Sequence, residues 1–338
     1  MNATFKRPRP RDAGDGLELI IAPSDLGAGT RGAAMGPEAL MHSALAEGLS
    51  FFERAPQCRV PMPTLRRRHL VTASIDYLDD VVRGGELLCA RHRDLLAQDS
   101  TTLCLSGCHA NAVGWVAGAR EAFPEARIGL IWLDAHGDLH SPWTSPTGNV
   151  HGMPLAALLD ADNLALGKSE VSDHTQRAWS RLKRLGPSRI CPKLQPEDVL
   201  LVDIRDLEDE EWGLIHSAGI PHVTAAERSR IGVDGVLRRA RAQFADYDLL
   251  LVTFDVDCLD APLVPGTGTP VKGGMSEAEA LTLLEGLVAL PAFRSLDICE
   301  INPLLDRENS VARRMARMLR QLWPGLARTA VPQAAGSV

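Results

Sequence analysis

Six short runs of Val, Ile and Leu, almost unbroken by polar residues, punctuate the chain: Leu17–Pro23, Thr102–Leu105, Ile128–Leu133, Val199–Ile204, Leu249–Phe254 and Ser295–Ile301. A strand with one wet face alternates apolar and polar residues. These runs do not alternate, so each fits a strand buried on both faces, as in a parallel sheet covered by helices on either side. Amphipathic stretches lie between them. One opens at Gly36-Pro37, where the proline occupies the first turn and its missing N–H costs nothing, and continues through Glu38, Leu40, Leu45 and Leu49. A second opens at Ser276 with Glu279 three residues on, the spacing of a capping box. A third spaces Val311, Met315, Leu319 and Leu322 along one face, and Pro324 is expected to stop it. This alternation predicts an α/β fold: a three-layer αβα single domain around a mostly parallel β-sheet. Arg54–Arg68, with three prolines, reads as a surface loop, and Ala161–Pro196 as a polar excursion holding one helix. No repeat or flexible linker divides the chain, so the domain is expected over 17–325, between flexible tails at 1–16 and 326–338.

Composition removes several partners. The 338 residues carry 36 Lys and Arg against 43 Asp and Glu, a net charge of −7, with only 4% aromatic residues. That balance offers neither a basic footprint nor a stacking platform for nucleic acid. The seven cysteines are odd in number and form no CxxC pair, the usage of a reduced cytosol. Behind the basic start MNATFKRPRPR the first apolar run is too short for export, and no stretch reaches the ~18 apolar residues of a membrane span. A cytoplasmic protein without membrane contact is expected.

The chemistry sits where the apolar runs stop. Ile128–Leu133 ends in Asp134-Ala-His136-Gly-Asp138, and an extended backbone there would place all three polar side chains on one face. Leu249–Phe254 ends in Asp255-Val-Asp257, and Thr102–Leu105 is followed by Ser106-Gly107-Cys108-His109. A lone histidine is usually structural, and a lone Asp-x-Asp usually a turn. Four carboxylates and two imidazoles gathered at the ends of buried strands would repel one another without cations. Six such ligands exceed one tetrahedral zinc and fit two ions sharing bridging carboxylates. Oxygen-rich sites favour hard ions such as manganese. Water between two such ions yields hydroxide near neutral pH, so the chemistry implied is metal-assisted hydrolysis.

The segments SGCH (106–109), DAHGD (134–138), TGNVHGMP (147–154), FDVDCLD (254–260), PGTGTP (265–270) and EINP (300–303) resemble, in order and spacing, the ureohydrolase family of arginases, agmatinases and formiminoglutamases. The resemblance implies an arginase-like fold and two Mn²⁺ per subunit held by His109, Asp134, His136, Asp138, Asp255 and Asp257. It implies further that Glu300 holds the guanidinium, for which a carboxylate is the natural partner, and that His151 shuttles protons. Asp138, His151 and Glu300 are thus the expected catalytic residues. Hydroxide bridging the ions would attack the guanidinium carbon, and the tetrahedral intermediate would collapse to urea and an amine. A small guanidino substrate and a homotrimer or homohexamer follow from the same likeness.

Within the family the segment HSPWTSPTGNVHG has arginase spacing. Ser145, Thr147 and Asn149 fall on positions that donate hydrogen bonds to the substrate α-carboxylate, and His140, where many arginases carry asparagine, is expected to bind substrate with them, since an imidazole N–H can still donate. In RDLEDEE (205–211), Glu208 takes a place often filled by aspartate, and with Glu211 matches the acids that hold the α-ammonium group. Agmatinases do not use the SPTGN pattern, which counts against a decarboxylated substrate. The usual Gly-Gly-Asp-His becomes Ser106-Gly-Cys108-His109, with Cys108 expected as a buried, inert thiol. The expected activity is hydrolysis of L-arginine to L-ornithine and urea. The alternatives are another guanidino acid such as guanidinobutyrate, or formiminoglutamate. A silent relative or a single-zinc deacetylase is disfavoured by the complete ligand set together with His151 and Glu300.

Overall fold

A computed structural model describes residues 16–70 and 72–328. Its strands are β1 (Leu17–Ala22), β2 (Gln57–Arg59), β3 (Thr101–Ser106), β4 (Ile128–Leu133), β5 (Val199–Ile204), β6 (His222–Thr224), β7 (Leu249–Asp255) and β8 (Phe293–Cys299). They form one sheet in the order β2-β1-β3-β8-β7-β4-β5-β6, with every neighbouring pair parallel. The longer helices are α1 (Gly36–Ala46), α2 (Leu78–Leu96), α3 (Ala112–Ala122), α4 (Pro154–Leu158), α5 (Asp173–Lys183), α6 (Asp209–Ala218), α7 (Ala225–Gln243), α8 (Glu277–Val288) and α9 (Ser310–Ala327).

The unbroken apolar runs have a direct explanation in the layers. Alternate residues of β4 enter opposite cores: Leu130 and Trp132 pack with α2, α3, α4 and α5, whereas Ile131 and Leu133 pack with α1, α7, α8 and α9. Both faces are covered, so neither tolerates a solvated residue, and the expected three-layer architecture holds. The capping box at the start of α8 also forms, Ser276 accepting from the Glu279 amide while Glu279 accepts from the Ser276 amide.

Three local expectations need correction. The segment 54–68 is not all loop, because Gln57–Arg59 pairs with β1 as an edge strand, and His222–Thr224 forms the opposite edge beside β5. Each edge strand has three residues and no apolar run, since a short edge is held by backbone pairing rather than burial. Pro324 does not end α9, which continues to Ala327. A proline near a helix end sacrifices a single hydrogen bond, and the complete burial of Leu326, worth roughly 1.5–3 kcal/mol, offsets it. The ordered helix therefore passes the expected boundary at 325, while 1–15 and 329–338, the bulk of the two expected tails, lie outside the described residues.

The sheet order sets the site. The central strands β3, β8, β7 and β4 are adjacent, and Leu105 and Phe254 both lie level with Ile298, while Leu133 lies level with Phe254. Their carboxyl ends thus open at one height, where parallel α/β sheets bind ligands.

Candidate functional site

The loop after β3 turns sharply at Gly107, where a Cβ would fall 2.2 Å from the Ser24 carbonyl oxygen. It delivers His109 onto Trp132, with ring centroids 4.0 Å apart and planes 17° from parallel. His109 Nε2 lies 2.9 Å from Thr253 Oγ1, whose own hydroxyl donates to Asp297 Oδ2 at 3.3 Å. Asp297 also accepts from Ser106 Oγ at 2.6 Å. With the threonine proton given to Asp297, His109 donates from Nε2, which leaves Nδ1 as the nitrogen a metal would take; burial disfavours charge on the ring, but its carboxylate neighbours Asp134, Asp138 and Asp255 hold it well above the ordinary histidine value. That Nδ1 stands 3.0 Å from Asp134 Oδ2, 3.1 Å from Asp138 Oδ2 and 3.4 Å from Asp255 Oδ2.

Asp134, His136 and Asp138 converge, but not by the expected strand alternation. β4 ends at Leu133, the His136 amide donates back to Asp134 Oδ1 at 2.7 Å, and Asp138 adopts a left-handed φ of 51°. A local turn, not a pleat, gathers the three. His136 Nδ1 then lies 3.2 Å from Asp134 Oδ1 and 3.1 Å from Asp257 Oδ2. Two compact triads result, His109/Asp134/Asp138 and Asp134/His136/Asp257, with Asp134 common to both. Asp255 sits against the first triad through His109.

This donor set fits cations. His109 Nδ1 and Asp138 Oδ2 are buried side-chain atoms without a hydrogen-bond partner among the described residues, and they face each other. Burial and the Asp134 carboxylate push Asp138 up to about 6. Burial, together with Asp257 and Asp134, lifts Asp255 well above the carboxylate range. Buried acids that resist ionisation in each other's company are stabilised by a divalent cation, which removes the repulsion.

Above the triads lies a cleft whose walls include His140, Ser145, Thr147, Asn149, His151 and Glu208. Glu300 follows β8 in a left-handed conformation (φ 62°), and its amide donates to the Gly107 carbonyl at 2.8 Å. Its Oε1 accepts from the His109 amide at 2.9 Å and meets His151 Nδ1 at 3.2 Å. Burial disfavours charge on both partners, yet the contact prevails: His151 is raised above the ordinary histidine value by Glu300 and Asp138, and Glu300 is lowered by His151 and the His109 amide.

At the rim, Ser145 Oγ accepts from the Gly148 amide at 3.0 Å and Thr147 Oγ1 from the Asn149 amide at 3.2 Å. Each hydroxyl keeps its proton for another acceptor. Gly29 lies so close to Asn149 that a Cβ there would meet Nδ2 at 2.4 Å. Opposite them, Glu208 and Glu211 form the capping box of α6, and Glu211 Oε1 also accepts from the Leu139 amide at 3.1 Å. Burial and the Glu208 side chain raise Glu211 well above its ordinary value. His140 meets Glu208 Oε2 at 3.1 Å. All the sequence-derived site residues therefore gather at one end of the sheet.

Sequence reasoning passed over the residues that hold the ligands. Thr253 and Asp297 are polar interruptions within apolar strands, a signal available from the sequence. Thr269, in PGTGTP, donates to Asp257 Oδ2 at 3.2 Å and lines the cleft. Cys108 is fully buried, and burial with Glu300 and Asp25 raises its thiol, consistent with an inert side chain. Among the described residues no helix is long and apolar enough to cross a membrane.

The family model for the arginase family matches residues 16–323. The arginase of Brevibacillus brevis is 34% identical over 299 residues, covering 88% of this chain and 94% of that protein. The Bacillus subtilis arginase is 30% identical over 306 residues, covering 90% and 97%. The solved Bacillus caldovelox arginase superposes with a TM-score of 0.77 at 31% identity, covering 91% of this chain and 98% of that one. Match length, identity and fold agree: the chain belongs to the arginase family, and so to the hydrolases that act on guanidino and amidine groups with a metal cofactor.

Proposed function

We propose that the chain is an arginase, hydrolysing the guanidinium group of L-arginine to L-ornithine and urea. The observation that carries this reading is a cleft with two chemically distinct ends: paired carboxylate and imidazole triads with Glu300 at its floor, and hydroxyl, amide and carboxylate groups of Ser145, Thr147, Asn149 and Glu208 at its rim. Such a lining suits an α-amino acid whose far end is a planar cation. The arginase names carried by its relatives support the same substrate.

Two Mn²⁺ would be held by His109, Asp134 and Asp138 and by Asp134, His136 and Asp257, with Asp255 beside His109. Two such ions, when bound, supply the Lewis acidity that makes water a nucleophile near neutral pH. The remaining work falls to the protein. Glu300, anionic and fixed at Oε1, orients the guanidinium in its plane. His151 donates its Nδ1 proton to Glu300, so its Nε2 proton is the one available to the departing amine. Ser145, Thr147 and Asn149 hold the α-carboxylate, Glu208 and Glu211 the α-ammonium, and together they set the depth at which the guanidinium rests.

The test is urea release by the manganese-loaded protein across arginine, agmatine, guanidinobutyrate and guanidinopropionate, with formamide detection on formiminoglutamate. The highest kcat/KM is expected with arginine. Urea from a guanidino acid lacking the α-amine, and none from arginine, would overturn the reading. A chelator should abolish activity and manganese restore it. Sedimentation should return the proposed homotrimer or homohexamer.

A further inference from the structure

Two polar side chains of the rim, His140 and Glu208, come from the separate segments that follow β4 and β5. They are 68 residues apart in sequence and in direct contact in the fold, His140 Nε2 lying 3.1 Å from Glu208 Oε2.

The contacts around His140 specify its hydrogens. The Ser141 amide donates to Thr144 Oγ1 at 2.9 Å, and Thr144 Oγ1 lies 3.2 Å from His140 Nδ1. The Glu208 carboxylate only accepts, so the imidazole proton stands on Nε2, facing it, and the Nδ1 of the neutral ring is the acceptor for the threonine hydroxyl. The backbone is also held, since the His140 amide donates to the Gly152 carbonyl at 3.0 Å. Both ring nitrogens are thus occupied within the protein, and the buried ring has no donor left for a substrate carboxylate. Glu208 is in the opposite situation. Its side chain is 53% exposed, held at Oε2 by His140 and otherwise only within the capping box it shares with Glu211.

We infer that His140 is a positioning residue for Glu208: it fixes the carboxylate that the proposed reading assigns to the α-ammonium group and itself donates nothing to the substrate. An asparagine at 140 could not follow Glu208 out to the reach of Nε2, and an aspartate at 208 could not come back to His140. Shortening either side chain alone breaks the contact. The inference rests on the proposed arginase activity.

The test is a double-mutant cycle on the manganese-loaded enzyme, with three substrates: arginine, argininamide (carboxylate neutralised) and δ-guanidinovalerate (amine removed). His140→Asn should raise KM about tenfold for arginine and argininamide with kcat nearly unchanged, and should leave KM for δ-guanidinovalerate where it was. Glu208→Asp should behave alike, and the double variant should lose little more than either single one. Thr144→Val, which frees Nδ1 without touching either partner, should show the same substrate pattern at smaller size. A His140→Asn effect that persists with δ-guanidinovalerate and vanishes with argininamide would overturn the inference, as would additive losses in the double variant. Wild-type enzyme that releases no urea from arginine would overturn the proposed activity itself and this inference with it. Arginine hydrolysis intact with an additive cycle would overturn the inference alone.

Discussion

The floor and the rim of the cleft are built on different plans. At the floor, His109, Asp134, Asp255 and Asp257 are buried at the ends of adjacent strands, and their contacts run to other strand residues such as Thr253 and Asp297. At the rim, Thr147 and Glu208 are exposed, and Ser145, Thr147 and Asn149 are held by bonds within their own short loop. Strand ends fixed by a sheet of eight members place ligands to a fraction of an ångström, as metal chemistry demands. Loops tolerate substitution, and the rim is built from them. Chemistry and selectivity are therefore carried by separable parts of the fold.

That separation can be broken or sharpened by substitution. Asp134→Ala, which removes the carboxylate common to both triads, should lower kcat/KM by at least about 10³-fold and reduce bound metal in elemental analysis. His151→Ala should cost about a hundredfold in kcat. As a donor His151 acts in its protonated form, and its value is raised by Glu300 and Asp138, so wild-type activity should decline at alkaline pH only above the ordinary histidine range. That limb should be missing from the pH profile of the variant. Thr253→Val should weaken metal binding about tenfold in a calorimetric titration, because His109 loses the partner that fixes its tautomer. Asn149→Ala should instead raise KM for arginine about tenfold with little change in metal content. A loss of metal in the Asn149 variant, or a pure KM effect in the Thr253 variant, would erase the distinction.

The smallest effect concerns the support behind the rim. Buried Asp80 pairs with Arg68, with His69 at 3.0 Å and with Arg83 at 2.9 Å. Burial alone would raise its carboxyl, but hydrogen bonds from Arg68 and His69 and the charges of Arg68 and Arg83 lower it below the usual range. A depressed folded value stabilises above the unfolded pKa and is lost as pH falls through the folded one. Asp80→Asn should cost about 1 kcal/mol near neutral pH in urea melts, with the gap to wild type closing in acid.

The floor was readable from the sequence and much of the rim's wiring was not. Six candidate ligands announced themselves because polar groups at the end of a doubly buried strand demand a reason. Their mode of convergence was hidden, since the left-handed turn at Asp138 leaves no mark on an Asp-x-His-x-Asp pattern. Thr253 and Asp297 were legible in principle as polar breaks in apolar runs. β2 and β6 were not, because an edge strand of three residues buries too little to impose a pattern. The contact between His140 and Glu208 joins loops after different strands and could only come from the fold.

Glu300 has a wider consequence. Its amide binds the Gly107 carbonyl, its carboxylate binds the His109 amide, and the same carboxylate braces His151. Under the proposed function, one side chain is shared between recognition of the scissile group, the seat of a metal ligand and the proton donor. A change there could not alter which group is cleaved without also disturbing how it is cleaved. Under that reading, edits to the rim loops can change the body of the substrate, whereas a new head group would require dismantling the contacts that hold the rest of the floor.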